Sequence, residues 1–559
     1  MTTEVLALPA TYRFWPFRGG AVRDMGLNGQ PQEMRLDPPA ANEVVARVDA
    51  ASICASDIKI IRMGAAHPLF ESRDLDADPV VLGHEIAMTV VAVGERWRET
   101  YRPGDRLGLQ PAITVGTKRM IVGVDLPGGM SEYIRLDERV LGTGAPDTCY
   151  VFPLPVGMGA AAAALLEPYS CVEAAHRQNC RTTLKPHGRM LIVGTPGSAD
   201  YTLNSDITAA EIVVVDPAPA LATWAEIHGE RVVRHRRWTD VEGVFDDILL
   251  CADAFAAPLE ALIPKLDRGG MMTLVGLGGD DPIAIDVARI HYQGLSFVGT
   301  RGPEIADAYR PERNRFGLRA GGTALIVGGG GPMGRIHVHL ALQMRNGPAL
   351  VIATELSGHR MDDLRRDFEP MAEKRGKKFL VVANDALDRV LADVASEGCD
   401  DVVVVAPDVT VVERVAGFMK PDGMLVVFAG MPYGQPCRLP IGRVASAGAR
   451  FTGSTGSTIE DELSILSRVT SGELDIVGNL EAVAGFAVVP EAFAAVTEGR
   501  MSGKIVVYPG LPDLALTRTS ELRRSQGGSA QWTYDDESRL RGGSERASPL
   551  RTGADKALK

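Results

Sequence analysis

The sequence contains no CxxC pair, no long uninterrupted apolar run, no basic leader and no excess of positive charge. Each absence removes a class of protein. The seven cysteines are scattered and odd in number, which argues against a disulfide framework and for a reducing, cytoplasmic setting. The apolar stretch Ala160–Leu166 falls far short of the roughly 20 residues needed to span a bilayer. Met1–Gly20 lacks a basic region followed by an apolar one, so no signal peptide is expected. A net charge of −12 argues against a nucleic-acid or anionic-membrane surface and says little about a small substrate. At 559 residues the chain exceeds one compact domain.

Two regimes follow one another along the chain. Residues 1–185 read as short β-branched strands, such as Val44–Val48 and Ile86–Val93, separated by Gly and Pro turns. From about Arg189 to Ser457, strands alternate with helices in the pattern of a doubly wound parallel α/β fold. That second region carries an internal repeat. Arg189–Gly194 resembles Thr323–Gly328, Phe245–Leu250 resembles Cys399–Val404, Gly270–Val275 resembles Gly423–Phe428, and Gly299–Gly302 resembles Gly453–Gly456. Four matches in one order predict two copies of one nucleotide-binding module, residues 186–318 and 319–479. The closing stretch, 513–559, turns rich in Ser, Gly and Arg and is expected to be a disordered tail.

Cys54-Ala55-Ser56-Asp57 and Gly83-His84-Glu85 offer a thiolate, an imidazole and carboxylates, and Glu167-Pro168 can add one more oxygen. Zinc favours these donors, and a catalytic zinc keeps one position open. Cys54 and His84 are thirty residues apart, so only a folded barrel can join them. Asp57 is placed to accept a hydrogen bond from a ligating imidazole and so fix its orientation. A Lewis acid beside a nucleotide fold suggests alcohol–carbonyl redox chemistry.

In the second module, Gly329-Gly330-Gly331-Pro332-Met333-Gly334 fits G-x-G-x-x-G between the strand Ala324–Val327 and the helix Arg335–Met344. Gly329 and Gly331 permit the tight turn and close approach of a pyrophosphate, and Gly334 lets helix pack on strand. Pro332 and Met333 open the helix whose N-terminus receives the negative charge. Glu355, ending the next strand, is the expected ribose-binding acid. A carboxylate there repels a 2′-phosphate and favours NAD over NADP, with His359 and Arg360 nearby to soften that repulsion. The first module reads Gly194-Thr195-Pro196-Gly197-Ser198-Ala199-Asp200, without the third glycine, although Asp216 closes its second strand. It is expected to be degenerate, kept for packing or subunit contact, with a second nucleotide site as the alternative.

The stretch from Cys54 to Glu173 resembles the zinc-containing medium-chain dehydrogenases, whose hallmarks are Cys-x-x-Asp followed by Gly-His-Glu. Leu166-Glu167-Pro168-Tyr169-Ser170 is similar to the Glu-Pro segment of the sorbitol dehydrogenase branch. Gly331-Pro332-Met333-Gly334 and the Gly-Thr/Ser-x-Gly stretch resemble sorbose-1-phosphate reductases. The resemblance implies a GroES-like catalytic barrel over 1–185, completed by 480–512, with the two tandem Rossmann-type modules inserted. It implies Cys54, His84 and Glu167 as direct zinc ligands, Glu85 as a near or alternating ligand, and Ser56 and His67 close to the substrate oxygen, able to pass its proton. Many relatives carry a four-cysteine lobe for a second zinc, but Leu107–Glu132 contains no cysteine, so a single catalytic ion is expected.

The resulting expectation is a zinc-dependent oxidoreductase that moves hydride between a nicotinamide cofactor and a secondary alcohol or ketone, in the polyol, sugar or sugar-phosphate class. Homo-oligomers, dimers or tetramers, are expected, with Phe451–Gly453 as an edge that pairs between subunits. The alternative is a nucleotide sensor or scaffold that has lost turnover; it needs neither the thiolate nor an open metal position. A zinc-free reductase acting on an activated double bond would lack the Cys-plus-His pair.

Overall fold

A computed structural model describes residues 8–70, 73–143, 148–177, 181–194, 200–252, 256–276, 281–525 and 532–542. Two compact units result: one from residues up to Ser170 together with those from Ser457 onward, the other from Cys171 to Gly456. The sequence alone set these divisions at 185/186 and 479/480. Among the described residues no helix is long and apolar enough to cross a membrane.

The first unit is built around an eight-stranded sheet drawn from both ends of the chain. Its order is Val151–Pro153, Arg106–Leu109, Glu85–Val93, Val44–Ser52, Lys504–Tyr508, Leu480–Gly485, Thr517–Arg518, with Tyr133–Leu136 also pairing Val44–Ser52. The long central strands are apolar and β-branched along nearly their whole length, because the sheet curls over a single core. Register is what matters for function. Ser52 stands opposite both Glu85 and Val506, so the residues that follow Ser52, open the strand at Glu85 and open the strand at Lys504 converge at one end of the sheet. The helices Ala160–Ala164 and Leu166–Ala175 then follow in direct succession, bringing in Glu167.

The C-terminal stretch departs from the expected disordered tail. Thr517–Arg518 adds to the sheet, and the helices Thr519–Ser525 and Tyr534–Leu540 are formed. Trp532 is buried, Thr533 and Asp536 close a capping box, and Asp536 pairs with Arg523 at 3.1 Å. Glu537 Oε1 accepts the Ala161 N–H at 3.1 Å, capping the helix that leads to Glu167. One aromatic anchor and one capping box outweigh the polar composition. Residues 543–559 lie outside the described residues.

The second unit holds two six-stranded parallel sheets of the same order. The first runs Val232–His235, Glu211–Val215, Arg189–Val193, Phe245–Cys251, Leu266–Val275, Ser296–Thr300. The second runs Lys378–Ala383, Leu350–Glu355, Thr323–Val327, Cys399–Val404, Met419–Val427, Arg450–Thr452. The repeat extends to detail: the register slips between Phe245 and Asp247 in one and between Cys399 and Asp401 in the other. The two acids at each slip are bound alike. Asp246 accepts from the Arg189 N–H and Asp400 from the Thr323 N–H; Asp247 pairs with Arg181 and Asp401 with Arg315.

These modules meet through reciprocal contacts. Ile283–Asp286 pairs antiparallel with Pro436–Leu439, Gly299 lies against Ala445, and Gly453 lies against His291. Their apolar residues form one continuous core. Phe451 is therefore fully buried inside the chain. The expectation that Phe451–Gly453 pairs between subunits is corrected: the first module already covers that edge, and an oligomer must use another surface.

Candidate functional site

The strand Val44–Ser52 delivers Ile53 and then Cys54, which caps the helix Ala55–Met63. Asp57 in the first turn is buried and uses both oxygens. Oδ2 accepts the Cys54 N–H at 3.2 Å, and Oδ1 lies 3.5 Å from His84 Nδ1. It thus ties the cysteine backbone to the imidazole and holds the ring through Nδ1. Gly83 adopts φ +92°, the left-handed region that glycine reaches freely, and a Cβ there would press on Met130. This turn presents His84, and Glu85 begins the following strand. Cys54, His84 and Glu85 each offer a ligand atom within 4.8 Å of the others.

Glu167 is not part of that tight trio, but it is buried and belongs to the same charge cluster. Two members of the cluster were not foreseen from the sequence. Lys504 Nζ donates to Glu85 Oε1 at 2.6 Å and to the Ile53 carbonyl at 2.8 Å. Burial alone would lower the Lys504 ammonium, but Glu85, with Cys54 and Glu167, holds its pKa above the usual lysine value. Glu462, on the helix Ile459–Thr470, is buried too; burial, then Glu167, Asp461 and Glu85, push its carboxyl well above the usual range. Burial by itself would also lower His84, yet Cys54 and Asp57 beside it hold its pKa well above normal. The one signal for Lys504 in the sequence is a lysine opening an otherwise apolar strand, Lys504-Ile505-Val506-Val507-Tyr508.

Acidic groups thus outnumber the cations in a cluster in which Glu85, Glu167, Glu462 and Lys504 are buried and Cys54 and His84 are half-buried. Glu85 Oε2 and Glu462 Oε1 are buried without a hydrogen-bond partner among the described residues. An unpaired buried carboxylate is costly, and a divalent cation would remove both the excess charge and the orphaned oxygen. Thiolate, imidazole and carboxylate within one small radius are the donors zinc takes, so the residues present fit that ion.

Ser56 lies in the first helical turn after Cys54, exposed. His67 follows that helix, buried, with Nδ1 accepting the Leu69 N–H at 3.3 Å and its ring beside Phe70. Burial, then Lys59, lowers the His67 pKa and keeps the ring neutral.

In the second unit the glycine loop has the expected form. Gly331 caps the helix Pro332–Gln343 after the strand Thr323–Val327. A Cβ at Gly334 would run into the Gly328 carbonyl, whereas one at Gly331 would meet nothing within 4 Å. The loop is therefore closed toward its own strand and open where Gly331 faces outward. Glu355 Oε2 accepts the Gly330 N–H at 3.1 Å, and Oε1 accepts those of Leu356 and Ser357 at 2.8 and 3.3 Å. This buried carboxylate is locked at the end of the second strand. In the first module, Thr195–Ala199 lie outside the described residues, and Asp216 stands exposed after its strand.

The alcohol dehydrogenase GroES-like domain family matches residues 40–146. The Escherichia coli (strain K12) protein YggP is 30% identical over 304 residues, 48% of this chain and 69% of its own. The sorbitol dehydrogenase of Bacillus subtilis (strain 168) is 24% identical over 46% of this chain and 74% of its own. L-sorbose 1-phosphate reductase of Klebsiella pneumoniae is 26% identical over 34% of this chain, and the match spans about half, 48%, of the reductase. Among solved structures, 2R,3R-butanediol dehydrogenase from Bacillus subtilis superposes with a TM-score of 0.51 at 16% identity, covering 89% of this chain and 99% of that one, a likeness of fold. Taken with the Cys54–His84–Glu85 geometry, these matches establish that the chain belongs to the zinc-containing medium-chain dehydrogenase/reductase superfamily, beside its sorbitol dehydrogenase and sorbose-1-phosphate reductase-like members.

Proposed function

We propose that the protein is a zinc-dependent dehydrogenase that moves hydride between a nicotinamide cofactor and a secondary alcohol or ketone of the polyol, sugar or sugar-phosphate class. The observation that carries this reading is the trio Cys54, His84 and Glu85, mutually within 4.8 Å, the first two half-buried and the third buried with its Oε2 unpartnered among the described residues. Cys54 and His84 would hold the ion, with Glu85 and Glu167 as its carboxylate oxygens. When bound, zinc supplies Lewis acidity to the substrate oxygen, and the nicotinamide carries the hydride.

The chain's own residues do the rest. Asp57 fixes the His84 ring so that one nitrogen stays free for the ion. Lys504 neutralises one oxygen of Glu85 and leaves the other available. Ser56, exposed beside Cys54, takes the proton that the substrate hydroxyl loses, and His67, kept neutral, accepts it onward toward solvent. The backbone N–H groups of Gly329, Gly331, Met333 and Gly334 receive the pyrophosphate at a helix start, and Pro332, which has no N–H to give, sets the first helical turn. Glu355 accepts the ribose hydroxyls, and its fixed negative charge supports NAD over NADP. The substrate class rests on the sorbitol and sorbose 1-phosphate enzymes among the relatives.

The test is a panel of polyols and sugar phosphates assayed with NAD and with NADP, before and after chelation and zinc readdition, alongside metal analysis. Turnover that follows zinc content and prefers NAD is expected. Stoichiometric zinc with no turnover on any secondary alcohol or ketone would refute the catalytic reading.

A further inference from the structure

Glu462 has no role in the reading above, and its surroundings do not explain it as a structural acid. It sits in the first turn of the helix Ile459–Thr470, where an acid commonly serves as a cap. Here that task is already filled. Asp461 Oδ2 accepts from both the Thr458 N–H and its hydroxyl at 2.9 Å, and Thr458 Oγ1 accepts the Asp461 N–H at 3.3 Å. Glu462 instead turns inward and is 1% exposed, with Oε1 unpartnered.

The charges facing it are Glu167, Asp461 and Glu85, all acidic, and His84. The buried ammonium in this cluster, Lys504, already holds Glu85. A carboxyl with one orphaned oxygen among three other acids is costly unless a cation completes the group.

We propose that Glu462 is a further carboxyl of the metal centre, a positioning residue whose side chain is balanced only when a divalent cation sits among Cys54, His84 and Glu85. This rests on the zinc reading above. Glu462 strengthens the hold on the ion by adding negative charge beside Glu167, so the return segment of the chain, and not only the first 170 residues, defines the metal affinity.

The full-length protein, stripped of metal, is titrated with zinc against a chromophoric chelator, and the cobalt(II)-substituted form is examined for its d–d absorption. Glu462→Gln is expected to weaken zinc binding about 10–100-fold and to shift the cobalt band. Glu460→Gln, on the exposed side of the same turn, leaves both unchanged, and Glu462→Asp recovers part of the affinity. Zinc affinity within twofold of wild type and an unchanged cobalt band in Glu462→Gln would overturn the inference while leaving the metal reading intact. Failure of the wild type to bind zinc or cobalt overturns both. Should the Gln variant not fold, Glu462→Asp decides alone: a shifted cobalt band supports the inference and an unshifted one rejects it.

Discussion

Lys504→Met is the perturbation that probes the buried charge cluster most directly. The ammonium is 1% exposed, its partner Glu85 is fully buried, and the two are 2.6 Å apart. The variant keeps most of the stem's volume but leaves Glu85 without its cation and the Ile53 carbonyl without its donor. Breaking one side of a buried pair costs about 3–5 kcal/mol. At roughly 2–4 °C per kcal/mol for a domain of this size, the melting temperature should fall by roughly 6–20 °C in chelator. The double variant Glu85→Gln/Lys504→Met removes both charges and should recover most of that loss, since replacing a whole buried pair is often neutral. Zinc should also narrow the gap for Lys504→Met, because the released Glu85 carboxylate is then free to meet the ion. Thermal unfolding of the wild type and the two variants, with chelator and with zinc, reads each term. A loss below about 1 kcal/mol for Lys504→Met, within the range of an exposed pair, or a double variant as damaged as the single, would refute the argument that this pair is closed to water.

Three further outcomes follow from particular side chains. His176, His337 and His339 are buried: burial, then Arg450 and Arg315, lowers His176 to about 3; burial, then Arg335 and Arg375, lowers His339 to about 3; burial, then His176, lowers His337 well below normal. Their unfolded forms take up protons below pH ~6.5 and the folded ones do not, so each should remove about 1.4 kcal/mol between pH 7.5 and 5.5. His337→Phe should weaken that pH dependence by this amount, and an equal dependence in variant and wild type would show the ring to be solvated. Gly331→Ala meets no atom of the protein, so its melting temperature should match wild type while NADH binding, followed by fluorescence, weakens at least about tenfold, or ~1.4 kcal/mol; unchanged binding would place the pyrophosphate elsewhere. Trp532→Ala should cost about 3–5 kcal/mol in chemical denaturation, whereas a solvated tail would register no change.

What could be read from the sequence was whatever depends on short spans. The strand–glycine loop–helix at Ala324–Gly334 is set by neighbours within a few residues, and a strand, loop and helix follow one another there; the donor motifs Cys54–Asp57 and Gly83–Glu85 were legible as short strings, whereas the helix Ala55–Met63 that carries Asp57 was not. The repeat was visible because parallel strands buried on both faces keep their apolar runs. Its ion pairs were not, because Arg181 and Arg315 are recognisable only once Asp247 and Asp401 are known to lie beside them. Lys504 and Glu85 are separated by 419 residues, and Glu462 looks like an ordinary first-turn acid until its helix is placed. The C-terminal helix was missed through averaging: composition over the whole stretch hid a Trp followed by a Thr-x-x-Asp cap.

The reciprocal seam between the two nucleotide-fold halves has an evolutionary consequence. When a self-complementary contact joins identical copies, every substitution appears twice, and a change must suit both sides at once. Here Gly299 against Ala445 and Gly453 against His291 are encoded separately. Each side can drift under its own constraint, so the two halves are at liberty to diverge in sequence while the joint between them holds.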